Sequence, residues 1–351
     1  MRVVVLGSTG YTGMMLLRIL SNHPNVERIT PVSRSSAGKQ VRACDPGLSQ
    51  SADRKIPNGL FVSLEDADAG NADAVLSALP HAASAVILGP LAGIVPIVDL
   101  SADFRLSDPT TYARVYGQAH PHPELLTQAV YGLCEWNRPD CRTASIIANP
   151  GCYPTATLLP LLPFRDFVTE PIVVNALSGI SGAGRKEKVD LLYTERSENV
   201  NAYNPGRAHR HVPEIEEQLA RTGATADGAA ADGPSSILFT PHLVPVKQGM
   251  IVTTVAALRT PLSQKEAEQR VRQAYDGSPF VGLSPRGIPE SRDVRNSNRC
   301  DIGVRVHEGR QLQLFSAIDN LYKGASGQAV QNMNIRLGLP EDAGLSADGE
   351  F

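Results

Sequence analysis

Short apolar, β-branched runs and stretches of helical spacing alternate through the first part of the chain. Val3–Leu6 is such a run; it meets Gly7-Ser8-Thr9-Gly10-Tyr11-Thr12-Gly13 and then an apolar helical pattern over Met14–Leu20. This reads as strand, glycine turn, helix. Further strands are expected over Arg28–Ser33, Asp73–Leu79, Ile94–Leu100 and Ala144–Ala148. Strands that alternate with helices predict an α/β, doubly wound parallel sheet.

After Cys152 the texture changes. Ile172–Leu177, Ser236–Thr240, Met250–Leu258 and Gln311–Ile318 read as longer strands with fewer helices between them, which predicts a mixed, largely antiparallel second sheet. Residues 222–234, rich in Ala, Gly, Asp and Thr, read as a surface loop. A helical pattern over Gly324–Leu337 stops at Gly338, and Pro340–Phe351 reads as a loosely held terminus. The apolar stretch Thr155–Phe164 is broken by Pro160 and Pro163 and is too short to cross a bilayer.

At 351 residues the chain exceeds one ordinary core, which predicts two domains. A net charge of -3 gives no field that would draw it to nucleic acid or an anionic membrane. The five cysteines are odd in number and none is spaced C-x-x-C, against both a disulfide framework and a zinc ribbon. Free thiols and a strand-like N-terminus without a secretory leader point to the cytoplasm. No spacing of His, Cys and carboxylates makes a metal site.

Gly7, Gly10 and Gly13 follow a first strand and open a helix. Glycines there permit a tight turn and close approach of backbone to a pyrophosphate, with the helix N-terminus aimed at the anion. Ser8, Thr9, Tyr11 and Thr12 belong to the same candidate cofactor loop. The second strand ends in Ser33-Arg34-Ser35-Ser36 rather than in Asp or Glu. Arg34 suits a 2′-phosphate, with Ser33 and Ser36 as hydrogen-bond donors, so the expected cofactor is NADP(H).

Asn149-Pro150-Gly151-Cys152-Tyr153-Pro154 lies between a strand and an apolar helix. A cysteine at a helix N-terminus meets the positive dipole end and unpaired amides, which favour the nucleophilic thiolate. His209-Arg210-His211 offers a proton carrier, in either histidine. His242 is a further residue that could line the cleft. Arg105, after a strand end, and Arg185, in the Ser178–Arg185 loop, are candidate cations for a phosphate or carboxylate, with Arg207 and Arg210 as further ones.

With these residues in place, the chain resembles the N-acetyl-gamma-glutamyl-phosphate reductases of the aspartate-semialdehyde dehydrogenase superfamily. The segments that carry the likeness are Gly7–Gly13, Asp99–Leu106, Asn149–Ala156, Ser178–Arg185, His209–Ile215, Phe239–Pro245 and the long run Asp319–Asn334. The resemblance implies a Rossmann-type NADP-binding domain, 1–151 with 321–351, and a catalytic and oligomerisation domain, 152–320. It implies Cys152 as nucleophile and His211 as acid/base, with Ser178, Gly179 and Asn320 on the nicotinamide side. Arg105, Asn149, Ser181, Arg185 and His209 are the candidate substrate-binding residues. The implied activity is reduction of an acyl phosphate to a semialdehyde in arginine biosynthesis, by a cytoplasmic homotetramer or dimer acting on a small molecule. Related reductases of carrier-bound aminoadipate or glutamate share the glycine turn and the HRH segment. Tyr153-Pro154 and Val212-Pro213-Glu214 favour the arginine branch over these. A dehydrogenase acting on aspartyl phosphate, or a non-catalytic NADP sensor, is the other reading of the same pattern.

Overall fold

The computed structural model describes residues 1–221 and 236–349. The loop expected over 222–234 lies outside the described residues. The chain divides into two compact units: Met1–Gly151 with Ala325–Ser346, and Cys152–Gly324 with Ala347–Phe351. The chain re-enters the first unit at Ala325 rather than at residue 321.

The first unit runs β1 (Arg2–Leu6), α1 (Tyr11–Asn22), β2 (Arg28–Val32), α2 (Val41–Cys44), β3 (Ala74–Ser77), α3 (Ser84–Leu88), β4 (Ile97–Asp99), α4 (Pro109–Tyr116), β5 (Val130–Tyr131), α5 (Cys134–Cys141) and β6 (Ile146–Ala148). Its sheet has the order β2-β1-β3-β4-β6-β5, parallel throughout. Alternation along the strands divides the apolar residues between two faces. Val4, Leu6, Val75, Ile97 and Ile146 pack with Ala85 and Leu88 of α3 on one face. The other face is covered by α1, against β1 and β2.

The second unit runs α6 (Cys152–Leu161), β7 (Val168–Gly179), α7 (Tyr193–Arg196), β8 (Asn201–Ala202), α8 (His211–Arg221), β9 (Ile237–Val244), β10 (Met250–Leu258), α9 (Gln264–Ala274), β11 (Val281–Leu283), β12 (Cys300–His307) and β13 (Gln311–Ile318). These strands form a mixed sheet in the order β11-β12-β13-β10-β7-β9-β8. Only β7–β9 and β11–β12 are parallel; the other pairs run antiparallel. Helix α6 lies against β10 and β13 and is buried from Tyr153 to Leu161, which is why its sequence is apolar on every side. The Ser316 hydroxyl donates to the Ala156 carbonyl at 2.6 Å, within the helix–sheet layer. The opposite sheet face is open. Leu238, Val173 and Val255 are direct cross-strand partners on that face, and Leu177 is exposed beside them.

The last helix, α10 (Gly327–Arg336), belongs to the first unit and lies against α1, α5 and β4. It ends where Gly338 takes φ +69°, with Gly338 N–H donating to the Ile335 carbonyl. The terminus after Pro340 is held rather than loose. Glu341 pairs with Arg138 at 2.7 Å, and Asn334 Nδ2 donates to the Glu341 and Ala343 carbonyls. Among the described residues, no helix is long and apolar enough to cross a membrane.

Helix α9 is polar and buries only Ala267 and Val271, so its start depends on a capping box between Ser263 and Glu266. Ser263→Ala is expected to lower unfolding stability by about 1 kcal/mol in urea titration; an unchanged midpoint would show that packing alone fixes this helix.

Candidate active site

In the first unit the strand order reverses direction of growth at β1 and β3, which is where open α/β sheets bind ligands. The glycine turn sits at the end of β1. Gly7 has φ +75°, and a Cβ on it would lie 2.6 Å from the Ala78 carbonyl oxygen. A Cβ on Gly13 would lie 2.4 Å from the Gly7 oxygen. These two glycines are required by packing. Gly10 is different: a Cβ there meets nothing nearer than 3.8 Å. Gly10 is also the N-cap of α1, with no side-chain cap, so the first-turn amides of Tyr11, Thr12 and Gly13 stand at a helix start open to an anion. Ser8 is turned inward. Its hydroxyl donates to the Val5 carbonyl at 2.7 Å and its N–H to the Val32 carbonyl at 3.2 Å, so its side chain holds the turn. Ser326 Oγ donates to the Thr12 carbonyl at 2.9 Å. Ser33 is buried just past β2, Arg34 is exposed and Ser36 is half-buried.

Arg105 and Asn149 are buried in the same unit. Arg105 Nε donates to the Asn149 carbonyl and Nη2 to the Leu100 carbonyl, each at 2.8 Å, tying together the ends of β4 and β6. The Asn149 side chain accepts from Asn332 Nδ2 at 2.9 Å and donates to the Ala325 carbonyl at 3.2 Å. Arg105 thus binds backbone, and Asn149, just ahead of Cys152 in the chain, binds backbone and Asn332 of α10. Cys134, Glu135 and Glu341 bring metal-type ligand atoms within 4.8 Å of one another, but Arg138 and Gln331 already bind the two carboxylates.

In the second unit Cys152 is the first residue of α6 and is half-buried. Cys134, Cys141 and Cys300 are fully buried, and burial pushes the Cys141 thiol up to about 12, which makes it inert. The neighbour of Cys152, Tyr153, reaches a ring cluster. Its ring meets His209 edge-on at 5.3 Å, His211 at 5.9 Å and Phe239 at 5.4 Å between centroids. Its hydroxyl shares a 2.7 Å hydrogen bond with Tyr203, whose ring lies 5.7 Å from His209. Burial pushes Tyr203 up to about 12 and raises Tyr153 as well, so both hydroxyls keep their protons near neutrality.

The two histidines are not equivalent. The His211 N–H donates to His209 Nδ1 at 3.2 Å, so neutral His209 carries its proton on Nε2. Burial, and then Arg210, pushes His209 down to about 4; it is neutral throughout the physiological range. His211 is half-buried at the start of α8. His242 pairs across the strands with Leu177 on the open sheet face, away from Phe239 and this cluster.

At the end of β7, Gly179 admits no side chain: a Cβ would lie 2.8 Å from the Gln248 nitrogen. Gly179 N–H donates to the Gly249 carbonyl at 2.9 Å. Asn320 accepts from Gly249 N–H at 2.8 Å and donates to Ser181 Oγ at 2.9 Å, so Ser178, Gly179, Ser181 and Asn320 form one assembly. Arg185 is exposed beyond it. Gly324 presses on the thiol residue, since a Cβ there would come 2.7 Å from Cys152 Cβ. Sequence reasoning passed over Tyr203, Phe239 and Asp319. The signal present was position: Tyr203 lies in the segment leading to the histidine pair, and Asp319 begins the long distinctive run.

Residues 2–144 match the family model "Semialdehyde dehydrogenase, NAD binding domain", and residues 152–320 match "Semialdehyde dehydrogenase, dimerisation domain". An N-acetyl-gamma-glutamyl-phosphate reductase of Geobacter sp. (strain M21) is 44% identical over 352 residues, covering 98% of each chain. The chain belongs to the N-acetyl-gamma-glutamyl-phosphate reductase family. A probable chloroplastic N-acetyl-gamma-glutamyl-phosphate reductase of Oryza sativa subsp. japonica is 42% identical over 350 residues, covering 98% of this chain and 81% of its own. Among solved structures, aspartate semialdehyde dehydrogenase II from Vibrio cholerae shares the fold, with a TM-score of 0.69, 19% identity and coverage of 95% and 97%. The α/β architecture expected from the sequence, a parallel Rossmann-type sheet and a mixed second sheet, is therefore that of the semialdehyde dehydrogenases.

The glycine geometry separates packing from ligand approach in this reductase family member. Gly13→Ala is expected to cost about 1–3 kcal/mol of stability through overpacking. Gly10→Ala is expected to leave the melting temperature nearly unchanged while weakening NADP binding, as read by calorimetric titration. Equal losses of stability in the two variants would contradict this division.

Proposed function

We propose that this chain catalyses the NADPH-dependent reduction of N-acetyl-gamma-glutamyl phosphate to N-acetylglutamate 5-semialdehyde and phosphate. The observation that carries the reading is Cys152 at the first position of α6, followed at once by Tyr153, whose ring meets a histidine pair of which one member is held neutral. The family membership supplies the substrate.

The amides at the start of α6 and its dipole favour the Cys152 thiolate, which attacks the γ-carbonyl carbon of the acyl phosphate. Those amides also stabilise the oxyanion that forms. The C–O bond to phosphate breaks, phosphate departs with its electron pair, and a thioester remains on Cys152. NADPH, when bound, supplies the hydride that reduces this thioester to the aldehyde level. His211 gives a proton to the oxyanion of the resulting thiohemiacetal and takes it back as the C–S bond breaks, freeing aldehyde and thiolate. His209, neutral with its proton on Nε2, donates a hydrogen bond to substrate and fixes the backbone at His211 through Nδ1. Arg185 and Ser181 offer donors to phosphate or carboxylate. Arg105 and Asn149 hold the chain that leads into Cys152.

The residues fit the cofactor. Gly10 leaves room at the N-terminus of α1, and Gly7, Thr9, Tyr11, Thr12 and Gly13 form the turn around the pyrophosphate. Arg34, with Ser33 and Ser36, binds the 2′-phosphate and sets the preference for NADP(H). Ser178, Gly179 and Asn320 would hold the nicotinamide. Free cysteines support a reducing, cytoplasmic setting. The protein works as a homo-oligomer, a dimer or tetramer. The open sheet face bearing Leu177, Leu238 and Val255, in the unit that matches a dimerisation domain, is the surface suited to a second copy.

Phosphate-dependent reduction of NADP is expected with N-acetylglutamate semialdehyde and to be far weaker with aspartate semialdehyde; the reverse preference would overturn the substrate. Cys152→Ser should abolish turnover and leave NADP binding intact. His211→Asn should lower kcat by about 10²–10⁴-fold, the usual share of general acid–base catalysis, and His209→Asn by less. A reversed ranking would move the proton-carrying role to His209. Arg34→Ala should reduce kcat/KM for NADPH by about tenfold or more, one lost charge-assisted phosphate contact, and leave NADH unaffected; an equal loss with both cofactors would remove Arg34 from the phosphate.

A further inference from the structure

Asp319 is fully buried at the end of β13 and accepts four hydrogen bonds. Oδ1 receives the N–H groups of Leu321 at 2.8 Å and Tyr322 at 3.1 Å. Oδ2 receives the Asn296 N–H at 2.6 Å and Gln248 Nε2. Gln248 Nε2 also donates to Asn296 Oδ1 at 3.2 Å. The main-chain carbonyl of Asp319 accepts the Gly324 N–H at 2.9 Å. One residue thus organises the whole turn from 319 to 324 and pins it to two other loops.

That turn carries two groups that matter on either side. Asn320 bonds Gly249 N–H and Ser181 Oγ and so fixes the end of β7. Gly324 lies against Cys152, close enough that its missing Cβ would come within 2.7 Å of Cys152 Cβ. A shift of the turn moves both together. Four donors around one carboxylate are also more than an anchor of a surface turn requires.

We infer that Asp319 is the positioning residue that locks the nucleophile Cys152 to the Ser178–Asn320 assembly, so that one carboxylate sets the geometry of both. It touches neither sulfur nor cofactor. Its acceptor pairs cannot be supplied by an amide, which offers one acceptor atom and turns two donors toward the Asn296 and Gln248 donors.

This rests on the thiol mechanism proposed above but not on the identity of the substrate. Asp319→Asn is compared with wild type in three measurements: steady-state turnover with N-acetylglutamate semialdehyde, NADP and phosphate; NADP affinity by titration; and the rate–pH profile of Cys152 alkylation by iodoacetamide, which needs no substrate. The expected result is a folded protein whose kcat falls at least about tenfold, from buried donors left unpaired. NADP affinity should weaken, and the alkylation profile should move to higher pH because the sulfur leaves the helix amides. A folded variant with turnover and alkylation profile within about twofold of wild type, the result of a purely structural role, overturns the inference. Should Asp319→Asn not fold, Gln248→Leu removes one donor and keeps the carboxylate; smaller changes in the same directions support the inference, and none at all overturns it. A wild type inactive on this aldehyde whose alkylation still responds to Asp319→Asn would sink the substrate reading and leave the positioning role standing.

Discussion

Cys152 occupies the first position of a helix that is buried along the rest of its length. Everything chemical in the second unit is arranged around that constraint. A buried helix cannot slide without opening voids against β10 and β13, so the sulfur inherits the rigidity of the core. The residues that follow are mostly apolar, with only Thr155 and Thr157 polar among those buried. Gly324 lies close against the residue that bears the thiol, and the next residue in the chain, Tyr153, joins the rings of Tyr203 and His209.

The same logic explains the division of labour between the histidines. Two imidazoles with ring centroids 4.9 Å apart could compete for one proton. Burial removes His209 from that competition, and its Nδ1 is spent on the backbone of His211. His209 is thereby held neutral, with its proton on Nε2. In the first unit, likewise, Gly7 and Gly13 are demanded by backbone contacts, while Gly10 leaves space where a phosphate would need it.

Much of the fold was legible in the residues because local signals agreed with the global structure. The β-branched run before the glycine turn, the apolar pattern after it and the long strands after Cys152 all formed. Strand β12 was missed although Cys300, Ile302, Val304 and Val306 alternate with Asp301, Gly303, Arg305 and His307, the period of a strand. Gly303 is needed there because a Cβ would sit 2.6 Å from the Gly287 carbonyl oxygen. Helix α9 was missed because it buries too few residues to show a stripe. The tail after Pro340 looked free because its anchors, Arg138 and Asn334, lie elsewhere in the chain. In the site, residue types did not show where each side chain spends its hydrogen bonds. Ser8, Arg105 and Asn149 turn inward to backbone or buried partners. His242, on a neighbouring strand position to Leu243, went to the opposite face from Phe239 by the simple alternation of a strand.

The central claim is that Cys152 carries the acyl group. Mass spectrometry of the protein mixed with N-acetyl-gamma-glutamyl phosphate in the absence of NADPH, quenched in acid and digested, tests it directly. The account predicts an N-acetylglutamyl adduct on the peptide that contains Cys152, lost when NADPH is added before the quench. An unmodified Cys152 peptide under conditions that support turnover, or the adduct on another residue, would contradict it.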